Sequence, residues 1–339
     1  NIEAFGGDPN RLMLFGESAG GMSTCLLLGA PASAAFIHSA AIQSGFCSGD
    51  GNVLTQHEAE SAGEKFAANA GCSSADRLNC LRKKSVRQIN AALKASGLVE
   101  KPFVPSPSVP VSPVIDGVLL PKQPRDLIAD GAAAGKSVII GTNKNEGSLF
   151  GAFADKIPTE ADYLALLKSQ YGDHAAEVAA LYPYGAYRSG RAAYADLQGD
   201  RFFTCNAKAT EDALVQGGAN VYAYEFVQKT VAPLGAFLSL MAPDLDYGPI
   251  HSTDVPYVFG VSSLLGNVSG ARAETANLMQ AYWANNATGE SPNGSEVPEW
   301  PKYDERERAY RVLTTPSYVA QDLKAEKCAV LNSLPMVPL

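Results

Sequence analysis

Apolar positions along this chain fall into two periods. Short unbroken runs occur at Leu12-Met13-Leu14-Phe15, AAIQS (40–44), SVIIG (137–141) and NVYAYEFV (220–227), each bounded by turn-forming residues. Such runs predict strands buried on both faces. Between them lie longer segments whose apolar residues recur at helical spacing: GMSTCLLLGA (21–30), HEAESAGEKFAANA (57–70), TEADYLALLKSQY (159–171), Arg191 to Val215, and ETANLMQAYWANNA (274–287). Strands that alternate with helices require parallel crossovers. The pattern therefore predicts the α/β class, with a mostly parallel central sheet flanked by helices.

One junction in this pattern carries chemistry. FGESAG (15–20) joins the first apolar run to the helix that stops near Gly29-Ala30-Pro31, so Ser18 is expected on a sharp strand-to-helix turn. Strained backbone of that kind persists mainly where function uses it. Gly16 and Gly20 lack a Cβ and are expected to let strand and helix approach closely. The hydroxyl then stands over a helix N-terminus and its partial positive charge. This is the mechanical content of the G-x-S-x-G nucleophile elbow.

A serine nucleophile needs a base within hydrogen-bond reach, and the base needs an orienting acceptor. Four histidines are available: His38, His57, His174 and His251. His38 and His57 follow Ser18 too closely to leave room for an acid between them, and His174 falls in a helical pattern as a surface or capping residue. His251 sits in YGPIHSTDVPYVFG, a loop punctuated by Gly and Pro, where catalytic side chains are expected. The acid is expected just past a strand, and Glu146 follows SVIIG in TNKNEGSLF. Asp116 in VIDGV is the rival, although IDG reads as a turn.

Composition narrows the partners. With 339 residues, 46% of them hydrophobic and 18% charged, the chain can bury a large core. A net charge of −8 gives no reason to expect nucleic acid as a partner, and no apolar run is long enough to predict a membrane span. Six cysteines show no zinc spacing, and a serine nucleophile with its base and acid needs neither a metal nor an organic cofactor. KPFVPSPSVPVSP (101–113) reads as an extended surface connection.

The run AFGGDPNRLMLFGESAGGMS (4–23) resembles the nucleophile signature of type-B carboxylesterases, the cholinesterase-like branch of the α/β-hydrolase fold. GTNKNEGSLF is similar to that family's acid loop and HSTDVPYVFG to its histidine loop. AIQSG, GC…NCLR, YWANNATGESPN, WPKYD and KCAVLNSL match further along, in the family's order. The resemblance implies a serine carboxylic-ester hydrolase with the triad Ser18, Glu146 and His251, acting through an acyl-serine on a small-molecule ester. A catalytically silent adhesion relative, or another serine hydrolase such as a lipase or thioesterase, is the alternative. It also implies an upstream glycine-rich loop that supplies most of the oxyanion hole. No HGG occurs here, so Ala19 N–H is the one donor expected within this chain. Only eleven residues precede Leu12, whereas the elbow of this fold follows several strands. Residues 1–339 are thus expected to be the C-terminal part of a single catalytic domain, with the N-terminal strands absent and the N-terminal remainder as its partner. On its own the chain is expected to be nearly inactive, since one lost oxyanion donor costs about 2.7–4 kcal/mol.

Some positions depart from the family or extend it. Ser-Thr-Asp follows His251 where a glycine and a glutamate are common, and Asp254 is expected to keep a salt bridge at shorter reach. The loop after Glu146 offers only Phe150 and Phe153, which points to general esters rather than choline esters. Glu17 matches the family and is expected to favour nearby positive charge. Phe237, Leu240 and Met241, just before the histidine loop, are read as core, with the lining of the acyl pocket as the alternative. The family pattern pairs Cys72 with Cys80 and Cys205 with Cys328, closures worth about 2.6 and 4.9 kcal/mol on the chain-entropy model. Paired cysteines imply an oxidising compartment, secreted or periplasmic. Cys25 is expected to be a buried free thiol, and Cys47 is open to pairing with the N-terminal remainder. Asn267, Asn286 and Asn293 head glycosylation sequons.

Overall fold

The computed structural model describes residues 1–47, 53–73, 75–97, 112–229 and 233–334. Apart from its last two residues, the proline-rich stretch 101–113 lies outside them. The strands in chain order are β1 (Met13–Glu17), β2 (Ser39–Gln43), β3 (Leu54–Thr55), β4 (Val114–Ile115), β5 (Ser137–Asn143), β6 (Asn220–Phe226), β7 (Ala309–Leu313) and β8 (Tyr318–Gln321). Six of them form one sheet in the order β1-β2-β5-β6-β7-β8, and β3 pairs with β4 apart from it. All pairings in the large sheet are parallel except that of β7 with β8.

The apolar runs become strands because helices cover both faces of the sheet. Every residue of β2 and β5 is buried, and the pleat sends alternate side chains to opposite layers. Ala40, Ile42, Val138, Ile140, Val221 and Ala223 pack with Leu28, Ile128 and Leu214 on one side. Ala41, Ile139, Tyr222, Tyr224 and Phe226 pack with Met279, Tyr282, Trp283 and Trp300 on the other. Each large apolar side chain buried in this way contributes roughly 1.5–3 kcal/mol. β1 stands at the sheet edge among the described residues, and its Phe15 is 43% exposed.

Helices begin where local chemistry satisfies the first amides. Thr55 with Glu58 and Ser85 with Gln88 form capping boxes ahead of the helices Gln56–Asn69 and Val86–Ala95. Thr159 and Ser189 cap Glu160–Tyr171 and Gly190–Gly199. The segment expected as one helix from Arg191 to Val215 is two, Gly190–Gly199 and Cys205–Gln216, joined by a π turn at Asp200–Thr204. The wider turn directs Asp200 and Phe203 inward, and both are buried.

Two other expectations change in three dimensions, and the turn read at IDG is found. Phe237, Leu240 and Met241 are not core: the helix Pro233–Met241 buries Gly235 and Leu238 and leaves those three 58%, 83% and 48% exposed. Asn286 is fully buried, with its amide donating to Ala40 O and its oxygen accepting from Ser137, so this sequon is closed to a glycan in the folded chain. Asp116 accepts three backbone N–H groups, from Val118, Leu119 and Leu120, and these hold its carboxyl below the usual range. It caps a turn on the surface and is not placed as an acid. Among the described residues, no helix is long and apolar enough to cross a membrane.

Candidate functional site

β1 delivers the chain to Ser18, whose φ of 58° and ψ of −121° lie outside the ordinary regions for an L-residue. Such strain costs about 1–3 kcal/mol and must be held by its surroundings. Part of the hold is a hydrogen bond from Ser18 N to Gln43 O at 2.9 Å, which fastens the elbow to β2. The helix Ala19–Gly29 starts at the next residue. Its first-turn amides have no intrahelical acceptors, and Ala19 and Gly20 are exposed. The glycines divide the work differently from the sequence expectation. A Cβ at Gly16 would meet Gly20 C and O at 2.4 Å, whereas one at Gly20 would meet nothing within 4 Å. The second close approach belongs to Gly21, which faces Gln43 O and Gly45 Cα at 3.0 Å.

The acid and the base come from two neighbouring loops. β5 ends at Asn143, and Glu146 opens the short helix Glu146–Gly151. Asn145 bridges to Ile250, with its N–H donating to Pro249 O at 3.0 Å, and this lays the histidine loop along the acid loop. The side chains of Ser18, His251 and Glu146 then form one chain of contacts. His251 Nε2 is 2.8 Å from Ser18 Oγ, and His251 Nδ1 is 2.6 Å from Glu146 Oε2. His251 is 4% exposed and Glu146 2%. The other carboxylate oxygen, Oε1, accepts from Ser44 Oγ at 2.6 Å and from Asn143 N at 2.7 Å. A carboxylate held by those donors favours the proton on Nδ1, and this leaves Nε2 to accept the serine hydroxyl proton. His38, His57 and His174 are on the surface.

The electrostatics follow from burying acids around one imidazole. Burial pulls the His251 pKa down, but the Glu146 carboxylate, with Glu17 and Asp254, more than offsets this and leaves it above the ordinary histidine value. Glu17 Oε1 is 3.2 Å from His251 Nε2 and accepts from Ser252 Oγ at 2.7 Å. Burial pushes its pKa up to about 7. Asp254 makes no ion pair among the described residues, which corrects the expected salt bridge. Neutral donors hold it instead: Gln43 Nε2 at 2.8 Å and the Tyr224 hydroxyl at 3.0 Å. Gln43 Oε1 in turn accepts from Trp283 Nε1 at 3.1 Å. With no cation against it, burial raises the Asp254 pKa.

Several residues around the site were not assigned a part from the sequence. Ser44, with φ 47°, lies in the AIQSG stretch, and its position just past a strand next to the elbow strand was the available signal. Gln43 and Tyr224 are strand residues with polar tips that meet only through the sheet register. Phe203 had no sequence signal. Its ring centroid lies 4.6 Å from that of His251, and that of Phe150 lies 5.1 Å away. Phe153, the other aromatic of the acid loop, is 41% exposed.

The structure pairs Cys72 with Cys80 and Cys205 with Cys328. It also pairs Cys25 with Cys47, so Cys25 is not a free thiol and Cys47 is not left for another segment. The helix Ala19–Gly29 turns Cys25 toward the sheet, where the chain leaving β2 brings Cys47 to a Cα distance of 5.1 Å. That meeting depends on helix-on-sheet packing, which spacing along the chain does not reveal.

Comparison with known proteins places this arrangement. Over 98% of its length the chain is 30% identical to carboxylesterase 1E of Rattus norvegicus, covering 62% of that protein. It is also 30% identical to the liver carboxylesterase of Sus scrofa, covering 98% of this chain and 61% of that one. The chain therefore spans about three fifths of the length of these curated relatives. Among solved structures, PNB esterase superposes with a TM-score of 0.76 at 28% identity, covering 98% of this chain and 65% of that one. The fold is accordingly that of the α/β-hydrolases. The model of the Carboxylesterase family matches residues 1–331, a span that includes the elbow, the acid loop and the histidine loop, and the chain belongs to that family.

Proposed function

We propose that this chain carries the Ser–His–Glu centre of a serine carboxylic-ester hydrolase, with Ser18 as nucleophile, His251 as base and Glu146 as the orienting acid. The observation that carries the reading is the pair of short contacts, 2.8 Å and 2.6 Å, that link the three side chains through one buried imidazole. In the first half-reaction, His251 Nε2 takes the Ser18 proton as Oγ attacks the ester carbonyl. Ala19 N–H, at the helix N-terminus, donates to the developing oxyanion. Collapse of the tetrahedral intermediate passes the proton from Nε2 to the leaving alcohol, and an acyl-serine remains. In the second half, the same nitrogen takes a proton from water, which attacks the acyl carbonyl and releases the acid. Glu146 stabilises the imidazolium in both halves, and Glu17 beside Nε2 adds to this.

One amide is a small oxyanion hole. The exposed edge at β1, with its half-exposed phenylalanine, is out of keeping with parallel sheets, which are normally covered on both faces. We assign that edge to a further polypeptide segment, which would bring additional oxyanion donors. The substrate is a general ester rather than an anionic one: two phenylalanines pack on the imidazole, and no cationic side chain contacts the triad among the described residues. Three disulfides fit an oxidising compartment, consistent with a secreted or periplasmic protein.

The test is labelling with a fluorophosphonate probe. The chain is expected to become covalently tagged on Ser18, slowly while the additional oxyanion donors are lacking, and Ser18→Ala to abolish tagging. Tagging that persists in the variant, or a folded chain that is never tagged, would refute the reading.

A further inference from the structure

Phe203 occupies a place that the reaction outlined above does not use. It lies in the π turn Asp200–Thr204, is 3% exposed, and its ring meets the His251 imidazole at a centroid distance of 4.6 Å. Phe150 reaches the same imidazole from the acid loop at 5.1 Å, and the two phenyl rings stack on each other at 5.6 Å. Two stacked rings therefore bear on the imidazole. Glu146 and Ser18 hold its nitrogens but leave it free to tilt about the line joining them, and packing against its carbons removes that freedom. The rings also exclude water from the imidazole.

The turn that carries Phe203 is anchored on both sides by the C-terminal segment. On one side, Asp200 is 1% exposed, accepts from the Tyr182 hydroxyl at 2.7 Å, and pairs with Lys324 and, at 3.6 Å, with Lys327. On the other, Cys205 is bonded to Cys328 in the helix Ala325–Ser333. An ion cluster and a disulfide thus flank the two phenylalanines of the turn, Phe202 and Phe203. A buried charge cluster is weak evidence for stability alone. Here it fixes the spot from which an aromatic ring reaches the centre.

We propose that Phe203, backed by Phe150, is a positioning residue for His251, and that the Asp200–Lys324 cluster with the Cys205–Cys328 bond sets its position. The proposal rests on the hydrolase reading for its consequence in rate, but not for its effect on the histidine. The full chain, Phe203→Ala and Phe150→Ala are compared in two ways. The first is the rate of fluorophosphonate labelling against pH. Phe203→Ala is expected to lower the plateau rate about 10-fold, since displacing a catalytic group by a fraction of an ångström has effects of that order. It also shifts the acid limb to higher pH, because water reaching the imidazole removes the desolvation that pulls its pKa down. The second readout is the His251 titration midpoint, by NMR of histidine-labelled protein, which needs no activity. It is expected to rise in both variants.

A folded Phe203→Ala chain with the parent plateau, acid limb and midpoint overturns the proposal. Should Phe203→Ala not fold, Phe150→Ala carries the same expectations. Should the parent chain never label, the hydrolase reading falls and the midpoint alone decides. Unchanged midpoints then overturn the proposal, and raised ones support it.

Discussion

Gly16→Ala and Gly20→Ala look equivalent in G-x-S-x-G, and the structure predicts opposite outcomes. A Cβ on Gly16 would lie 2.4 Å from Gly20 C and O, where ordinary contact begins at 3.4 Å, so about 1 Å of overlap must be relieved. Both atoms are backbone in the first turn of the Ala19–Gly29 helix and cannot rotate away. The strand and the helix must separate at Ser18, the residue already held at φ 58°. Overpacking of this kind costs about 1–3 kcal/mol. Displacing Oγ from His251 Nε2 by up to about 1 Å lowers reactivity on the order of 100-fold. At Gly20 the added methyl meets nothing within 4 Å, and alanine is a better helix former by up to about 1 kcal/mol. The assay is the pseudo-first-order rate of fluorophosphonate labelling, paired with the midpoint of denaturant unfolding. Gly16→Ala is expected to lose on both counts, and Gly20→Ala to match the parent in rate and equal or exceed it in midpoint. A Gly16→Ala chain with the parent's rate and midpoint would refute the steric account of the elbow.

Three further outcomes follow from buried groups. The Glu17 carboxyl has a folded pKa of about 7 against an ordinary 4.5, so the native chain holds this proton more tightly than the unfolded one. Its contribution to stability therefore falls as pH rises from about 4.5 to 7, by at most about 3 kcal/mol. Glu17→Gln should flatten that part of the stability–pH curve and move the acid limb of labelling to lower pH, because Glu17 helps to raise the His251 pKa. Ser44→Ala removes a buried donor from the carboxylate at 2.6 Å. It should cost about 1–3 kcal/mol in urea unfolding and slow labelling, with Asn143 N–H left as the donor to Oε1. Replacing both Cys25 and Cys47 by alanine opens a loop with a sequence separation of 22. The expected loss is about 3.4 kcal/mol on the chain-entropy model, and a variant as stable as the parent under oxidising conditions would argue against that bond.

The site gathers more acid than its one imidazole can neutralise. Glu146, Glu17 and Asp254 all raise the His251 pKa, and no lysine or arginine contacts any of the three among the described residues. The protein offsets the cost with donors that carry no charge: Ser44 and Asn143 on Glu146, Ser252 on Glu17, Gln43 and Tyr224 on Asp254. Neutral donors preserve the net negative field at Nε2. That field favours the imidazolium formed during attack, and an arginine at any of these places would cancel it.

The sequence alone determined the features that depend on neighbours along the chain. Unbroken apolar runs gave β1, β2, β5 and β6 but not β3, β4, β7 or β8, whose apolar runs are shorter or broken by polar residues. Helical spacing gave the main helices between them, and strand–Gly–x–Ser–x–Gly–helix gave the elbow, because each is a local backbone preference joined to local burial. The candidate acid and base were readable locally too, Glu146 as an acidic residue just past a strand and His251 as the histidine of a loop punctuated by Gly and Pro. What only the tertiary structure decided were meetings across the sheet and between layers: Ser44 on Glu146, Asp254 in a neutral clasp, Cys25 with Cys47, Asn286 sealed against Ala40, and Phe203 against the imidazole. Those contacts join positions 22 to 246 residues apart or depend on a π turn. They are set by sheet register and helix packing, which arise from summed burial over the whole core and leave no mark at either partner's place in the chain.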